Sequence, residues 1–110
     1  MSIQAVEIDG HVEVFIHGNF SFKEYSTFIQ LMESHEGQEQ FIIHMNRISF
    51  MDSTGMGLLL LLQERVGERG RVTLANPSQR VREMLQVAHF DKIFKIIEGL
   101  RPQESVMEAS

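Results

Sequence analysis

The sequence has no cysteine. Disulfide scaffolds and thiol catalysis are therefore excluded, and the composition fits a reducing cytoplasm. Its apolar runs fall far short of the roughly 20 residues that a bilayer span needs. No basic N-terminal region precedes an apolar core, so no signal peptide is expected. Positive charge is in deficit, with ten Lys and Arg against fifteen Asp and Glu, a formal net charge of -5. That balance argues against broad binding to nucleic acid or anionic membranes and is compatible with a basic protein partner. Internal repeats, low-complexity tracts and linkers are also missing. The 110 residues read as one domain, 1–110, large enough for its own core.

Catalytic patterns are equally scarce. His11, His17, His35, His44 and His89 show no metal-ligand spacing and read as structural or surface residues. No carboxylates are paired by sequence as an acid/base couple. Met51-Asp52-Ser53-Thr54-Gly55 lacks the flanking glycines of a G-x-S-x-G elbow. No lysine follows Gly55-x-Gly57, so a Walker-type phosphate loop is excluded. An enzyme, a metal site and a bound cofactor are all unexpected.

What is present is a regular alternation of strand and helix signals. Ile3, Ala5, Val6 and Ile8 suggest a short strand, and Asp9-Gly10 a hairpin turn. Val12, Val14 and Ile16 alternate with His11, Glu13, Phe15 and His17 in a second strand ending at Gly18. Ser21-x-x-Glu24 is a capping box, with Phe20 and Tyr25 placed as a hydrophobic staple. The helix that follows carries Tyr25, Phe28, Ile29 and Met32 at core spacing, and Gly37 ends it. Gln40 to Met45, interrupted by His44, reads as a strand buried on both faces. A central helix is expected from about Ser53 to Glu68, stopped by Gly70. Arg71 to Ala75 is a strand, and Asn76-Pro77 reads as an N-cap with proline at the first helical position. Val81, Met84, Leu85 and Ala88 give an i, i+3, i+4, i+7 stripe. Lys92 to Ile97 reads as a last strand and Pro102 to Ala109 as a terminal helix. The order β-β-α-β-α-β-α-β-(α) predicts an α/β domain, a mixed central sheet with packed helices and right-handed crossovers.

Within this pattern the stretch Ile48 to Gly57, running into Leu58 to Leu62, is the informative one. An apolar strand-like run ends at Asp52; Ser53 and Thr54 follow, then Gly55-x-Gly57, then an apolar helix. An acid and two hydroxyls therefore sit at a helix N-terminus, where free N–H groups and the macrodipole favour negative charge. Such a place can hold a phosphate, and it can equally be plain capping by Ser53, since Ser, Thr and Asp are preferred caps. A glycine in a helix interior costs about 1 kcal/mol relative to alanine. Two in the first turns point to close approach by a neighbouring strand, a partner, or both. At 100° per residue Gly55, Leu58, Leu59, Leu62 and Val66 share one face, and Met56 and Leu60 share another with Ser53 and Glu64. This predicts an exposed apolar pair, Met56 and Leu60, beside Ser53; the alternative is a helix packed on both sides.

The line from Ile48 to Val66 resembles the signature of the STAS domain (sulphate transporter and anti-sigma factor antagonist), above all that of bacterial anti-sigma factor antagonists. There an Asp-Ser-[Ser/Thr]-Gly-x-Gly run carries a regulatory phosphoserine directly after the Asp. The resemblance covers about His11 to Ile97 and implies the same α/β fold. It implies Ser53 as the phosphoacceptor. Asp52, Thr54, Gly55, Met56, Gly57, Leu60 and Ser21 then become the expected partner-binding residues. The implied function is a cytoplasmic protein-binding switch. Unphosphorylated, it would bind an anti-sigma factor with serine-kinase activity, or a related switch protein, and so free a sigma factor. ATP would belong to that partner, and a serine phosphatase would restore binding. The alternative implied by the same family is a module with a constitutive partner in a lipid-transport or stress-sensing scaffold complex. One departure bears on partner identity. The family often has an acid in a Gly-x-Leu-Asp context after the second strand; here the line is Gly18-Asn19-Phe20-Ser21, so Ser21 replaces it. That points to a pathway other than sporulation or general stress.

Overall fold

The computed structural model describes residues 2–100. The terminal helix expected at Pro102 to Ala109 lies outside the described residues. Strand β1 is Ser2–Ile8 and β2 is His11–Phe20. A 3₁₀ turn at Phe22–Glu24 leads into α1, Tyr25–Ser34. β3 is Gln40–Met51, α2 is Ser53–Val66, β4 is Arg71–Ala75 and α3 is Gln79–Val87. A second 3₁₀ turn, Phe90–Lys92, precedes β5, Lys95–Ile97. The sheet order is β1-β2-β3-β4-β5, antiparallel between β1 and β2 and parallel elsewhere.

The Asp9-Gly10 hairpin forms as expected. Both residues have positive φ, 49° and 86°, the backbone of a two-residue turn whose twist matches the flanking strands. Each later connection steps to the next strand in the same direction, so right-handed crossovers place the helices on one face. The register rows Val12–Phe41–Val72 and Val14–Ile43–Leu74–Ile96 run along the sheet. Apart from the half-buried Ile96 these residues are buried, in one core with Phe28, Leu31 and Met32 of α1, Leu58, Leu59 and Leu62 of α2, and Val81 and Leu85 of α3. The opposite rows carry Phe15 and a buried polar group. Glu13 Oε1 lies 2.7 Å from His44 Nε2, and Glu13 Oε2 lies 2.9 Å from His11 Nε2. Phe15 stacks on His44 at 4.4 Å. His44 is thus a core histidine anchored by a carboxylate. His35 likewise sits 2.7 Å from Glu7, and no group of three metal-ligating residues is assembled among the described residues.

Several boundaries move. β3 runs on to Met51, because Gly18, Asn19 and Phe20 of β2 continue to pair with Ile48, Phe50 and Met51, with one register shift before Gly18 and a second after it. The staple partner of Phe20 is Phe28, with ring centroids 5.3 Å apart, whereas Tyr25 is exposed. α2 ends at Val66 because Gly67 takes φ 77° at the C-cap; Gly70 is small because Val66 and the Glu39 carbonyl crowd it. α3 is capped by Ser78, whose Oγ accepts from Val81 N–H at 3.3 Å. Asn76 instead takes φ 56° and uses its side chain to hold the end of β5, accepting from Gly99 N–H and donating to the Leu100 carbonyl. The last strand shrinks to Lys95–Ile97 because Phe90 and Phe94 are both buried, 5.3 Å apart, in a helical turn closed by Phe94 N–H to the Phe90 carbonyl.

Candidate functional site

The parallel strands β2 and β3 end side by side at Phe20 and Met51, and α2 begins immediately after. Asp52, not Ser53, is the N-cap. Its backbone is extended, and its Oδ1 accepts from Gly55 N–H at 2.9 Å. Its Oδ2 accepts from Phe22 N–H at 3.4 Å, across 30 residues of sequence. Asp52 N–H in turn donates to the Phe20 carbonyl at 3.4 Å. The aspartate thus ties the start of α2 to the turn that follows β2. Capping by Asp52 leaves Ser53 as the first helical residue, exposed, with its hydroxyl not committed to the cap. Thr54 is half-buried beside it.

The two glycines separate. A Cβ on Gly55 would lie 2.2 Å from the Phe20 carbonyl oxygen and 3.0 Å from Met51 Cγ, so the neighbouring strand explains this glycine. Gly57 is exposed, and a Cβ there would meet nothing within 4 Å among the described residues beyond its own helix backbone. No neighbour among the described residues accounts for its missing side chain.

The inward face of α2 holds Gly55, Leu58, Leu59 and Leu62, all buried, with Val66 half-buried at its end. Of the expected exposed pair, Leu60 is 40 % exposed. Met56 is only half-buried, because it lines an open apolar groove with Met84, Val87 and Ala88 of α3. The pair is therefore one exposed residue and one groove residue. Ser21 turns inward: it is 7 % exposed, and both its N–H and its hydroxyl lie within hydrogen-bond distance of Glu24 Oε1. The expected capping box thus forms, but it takes the Ser21 side chain away from the surface. Phe22, 65 % exposed, stands next to it instead. Sequence reasoning passed over Phe22, although an aromatic inside the box pattern and outside the apolar stripe of α1 was the signal available for it.

The STAS domain family model matches residues 2–103. A STAS-domain containing protein of Pseudomonas aeruginosa is 31 % identical over 83 residues, covering 74 % of this chain and 82 % of that one. Among solved structures, the anti-sigma factor antagonist SpoIIAA in its unphosphorylated form matches with a TM-score of 0.73 at 21 % identity, over 98 % of this chain and 97 % of the other. The phosphorylated form from Bacillus matches at 0.70 and 21 %, over 99 % and 100 %. A sulfate transporter family protein from Wolinella succinogenes matches at 0.71 and 26 %, over 84 % and 80 %. No helix among the described residues is long and apolar enough to cross a membrane. The chain belongs to the STAS domain family.

Proposed function

We propose that this protein is an anti-sigma factor antagonist, a binding module rather than an enzyme, switched by phosphorylation of Ser53. The observation that carries the reading is the division of labour at the start of α2: Asp52 caps the helix, and the adjacent Ser53 hydroxyl is left exposed at its first residue. A partner kinase can reach that hydroxyl without opening the fold. Unphosphorylated, the protein binds an anti-sigma factor with serine-kinase activity, or a related switch protein, through Asp52, Thr54, Met56, Gly57 and Leu60. A phosphate adds about -1.5 to -2 charge. Beside the Asp52 carboxylate and next to an apolar contact, it repels and is costly to desolvate, so binding ends. A serine phosphatase reverses the change. That a relative, SpoIIAA, keeps the same fold in both forms supports a switch that acts at the surface and not through the core. The likeness to a sulfate transporter family protein favours a second reading, a module with a constitutive partner.

The test is to mix the purified protein with the serine-kinase anti-sigma factor of its host and ATP. The proposal expects one phosphate on Ser53 and dissociation of the complex. A stable complex with no phosphate transfer favours the constitutive reading.

A further inference from the structure

The Asp52 carboxylate divides its two oxygens between two elements. Oδ1 holds Gly55 N–H at 2.9 Å in a part-buried bond within the helix cap. Oδ2 holds Phe22 N–H at 3.4 Å in an exposed bond to the turn after β2. We infer that Asp52 transmits the state of Ser53 to Phe22: a phosphate on Ser53 breaks the bond from Asp52 to Phe22, keeps the one to Gly55, and frees the backbone that presents the Phe22 ring. The inference rests on the reading of Ser53 as the phosphoacceptor.

Met56 N–H is bonded to the Asp52 carbonyl and Gly55 N–H to Asp52 Oδ1. The amides of Ser53 and Thr54 have no hydrogen-bond partner among the described residues. A phosphate on Ser53 is therefore drawn to those free amides and the positive end of the helix, beside the carboxylate of the preceding residue. Two anions on adjacent residues repel, and the carboxylate yields at its weaker attachment. The Gly55 bond is short and part-buried, whereas the Phe22 bond is long and open to water. The released segment stays small. Glu24 N–H donates to the Ser21 carbonyl at 2.9 Å, and Ser21 N–H to Glu24 Oε1 at 3.1 Å, so the turn is held on either side of Phe22. The Phe22 amide itself is held by the exposed Asp52 bond, and exposed bonds of this kind open at low free-energy cost. A single phosphate thereby does two things to a partner: it places charge at Ser53 and loosens an exposed phenyl ring across the cap.

The full-length chain with phosphoserine installed at position 53 during translation tests this without any kinase. The readout is the exchange of backbone amides with water, by NMR, at Phe22 and at Gly55. Phosphoserine is expected to speed exchange at Phe22 severalfold and to leave Gly55 protected. Asp52→Asn retains a good capping oxygen for Gly55 but turns its NH₂ toward Phe22 N–H. In that variant Phe22 exchanges fast from the outset, and phosphoserine adds nothing. Unchanged exchange at Phe22 in the phosphorylated wild-type chain overturns the inference. So does equal loss of protection at Gly55, or a full phosphoserine effect persisting in Asp52→Asn. Because the phosphate is installed directly, failure here leaves the phosphoacceptor reading standing, and the lack of a kinase leaves this test intact.

Discussion

A methyl group on Gly55 would meet the carbonyl oxygen of Phe20 at 2.2 Å, closer than any real contact of that kind. The start of α2 is therefore pressed against the end of β2, and the obstacle is backbone, which cannot rotate away. Gly55→Ala is expected to destabilise the domain by about 1–3 kcal/mol, despite the better helix propensity of alanine. Gly57→Ala meets nothing and should stabilise by up to about 1 kcal/mol. The same variant should bind the partner more weakly, since it places a methyl on a surface left bare within the fold. Denaturant melts of the two variants check the first claim; a rise in stability for Gly55→Ala contradicts it.

Removing the cap separates Asp52 from its neighbours. Asp52→Ala leaves Gly55 N–H without its acceptor and should cost about 0.5–2 kcal/mol, whereas Asp52→Asn should stay within a few tenths. Urea midpoints at constant slope give both values. Equal losses in the two variants would mean that the charge, and not the capping oxygen, holds the helix end.

Leu60 and Leu62 lie two residues apart on α2 with opposite surroundings, 40 % and 1 % exposed. Leu60→Glu should change stability by no more than about 0.5 kcal/mol, as surface substitutions usually do, and should abolish partner binding by burying an unpaired charge in the contact. Leu62→Glu puts that charge in the core beside Met32 and Val66 and should unfold the domain. One thermal melt and one titration per variant decide it. If Leu60→Glu unfolds as badly as Leu62→Glu, α2 is not exposed on that side and the docking face is misplaced.

Much of this architecture is legible in the sequence wherever periodicity and local turn chemistry agree. The alternation of Val12, Val14 and Ile16, the Asp9-Gly10 turn and the stripe from Val81 to Ala88 each express a local rule that packing reinforces. The misplacements share a different cause, a side chain claimed by another partner, in one case a partner distant in sequence. Asn76 looks like a helix cap until Gly99 and Leu100 claim its side chain. Ser21 looks available until Glu24 takes its hydroxyl, and Tyr25 looks like a core residue until Phe28 takes Phe20. At the site, the order of acid, hydroxyl and glycine was readable. Which residue caps was not, because Asp52 and Ser53 are both good caps and the choice depends on the end of β2. Likewise Gly55 and Gly57 look alike in sequence, and the strand ends at Phe20 and Met51 distinguish them.

The first-residue position of Ser53 makes a charge there tolerable to the fold. Ser53→Asp adds a carboxylate at the positive end of α2, worth roughly 0.3–1 kcal/mol in favour of the helix, offset in part by repulsion from Asp52. Its melting temperature should stay close to wild type while partner affinity falls. Thr54→Ala should leave phosphate transfer intact, and Ser53→Ala should end it. Transfer lost in the Thr54 variant and retained in the Ser53 variant would reverse the assignment.

The central claim, that Ser53 is where this protein is switched, is tested most directly by a mass spectrum of the protein isolated from its own cells with phosphatases inhibited. Trypsin releases residues 48–65 as one peptide that contains Ser53 and Thr54 together with Ser49. The account predicts a fraction of that peptide carrying a single phosphate, which fragmentation places on Ser53. A peptide that never carries phosphate, or carries it on Thr54 or Ser49, contradicts the account.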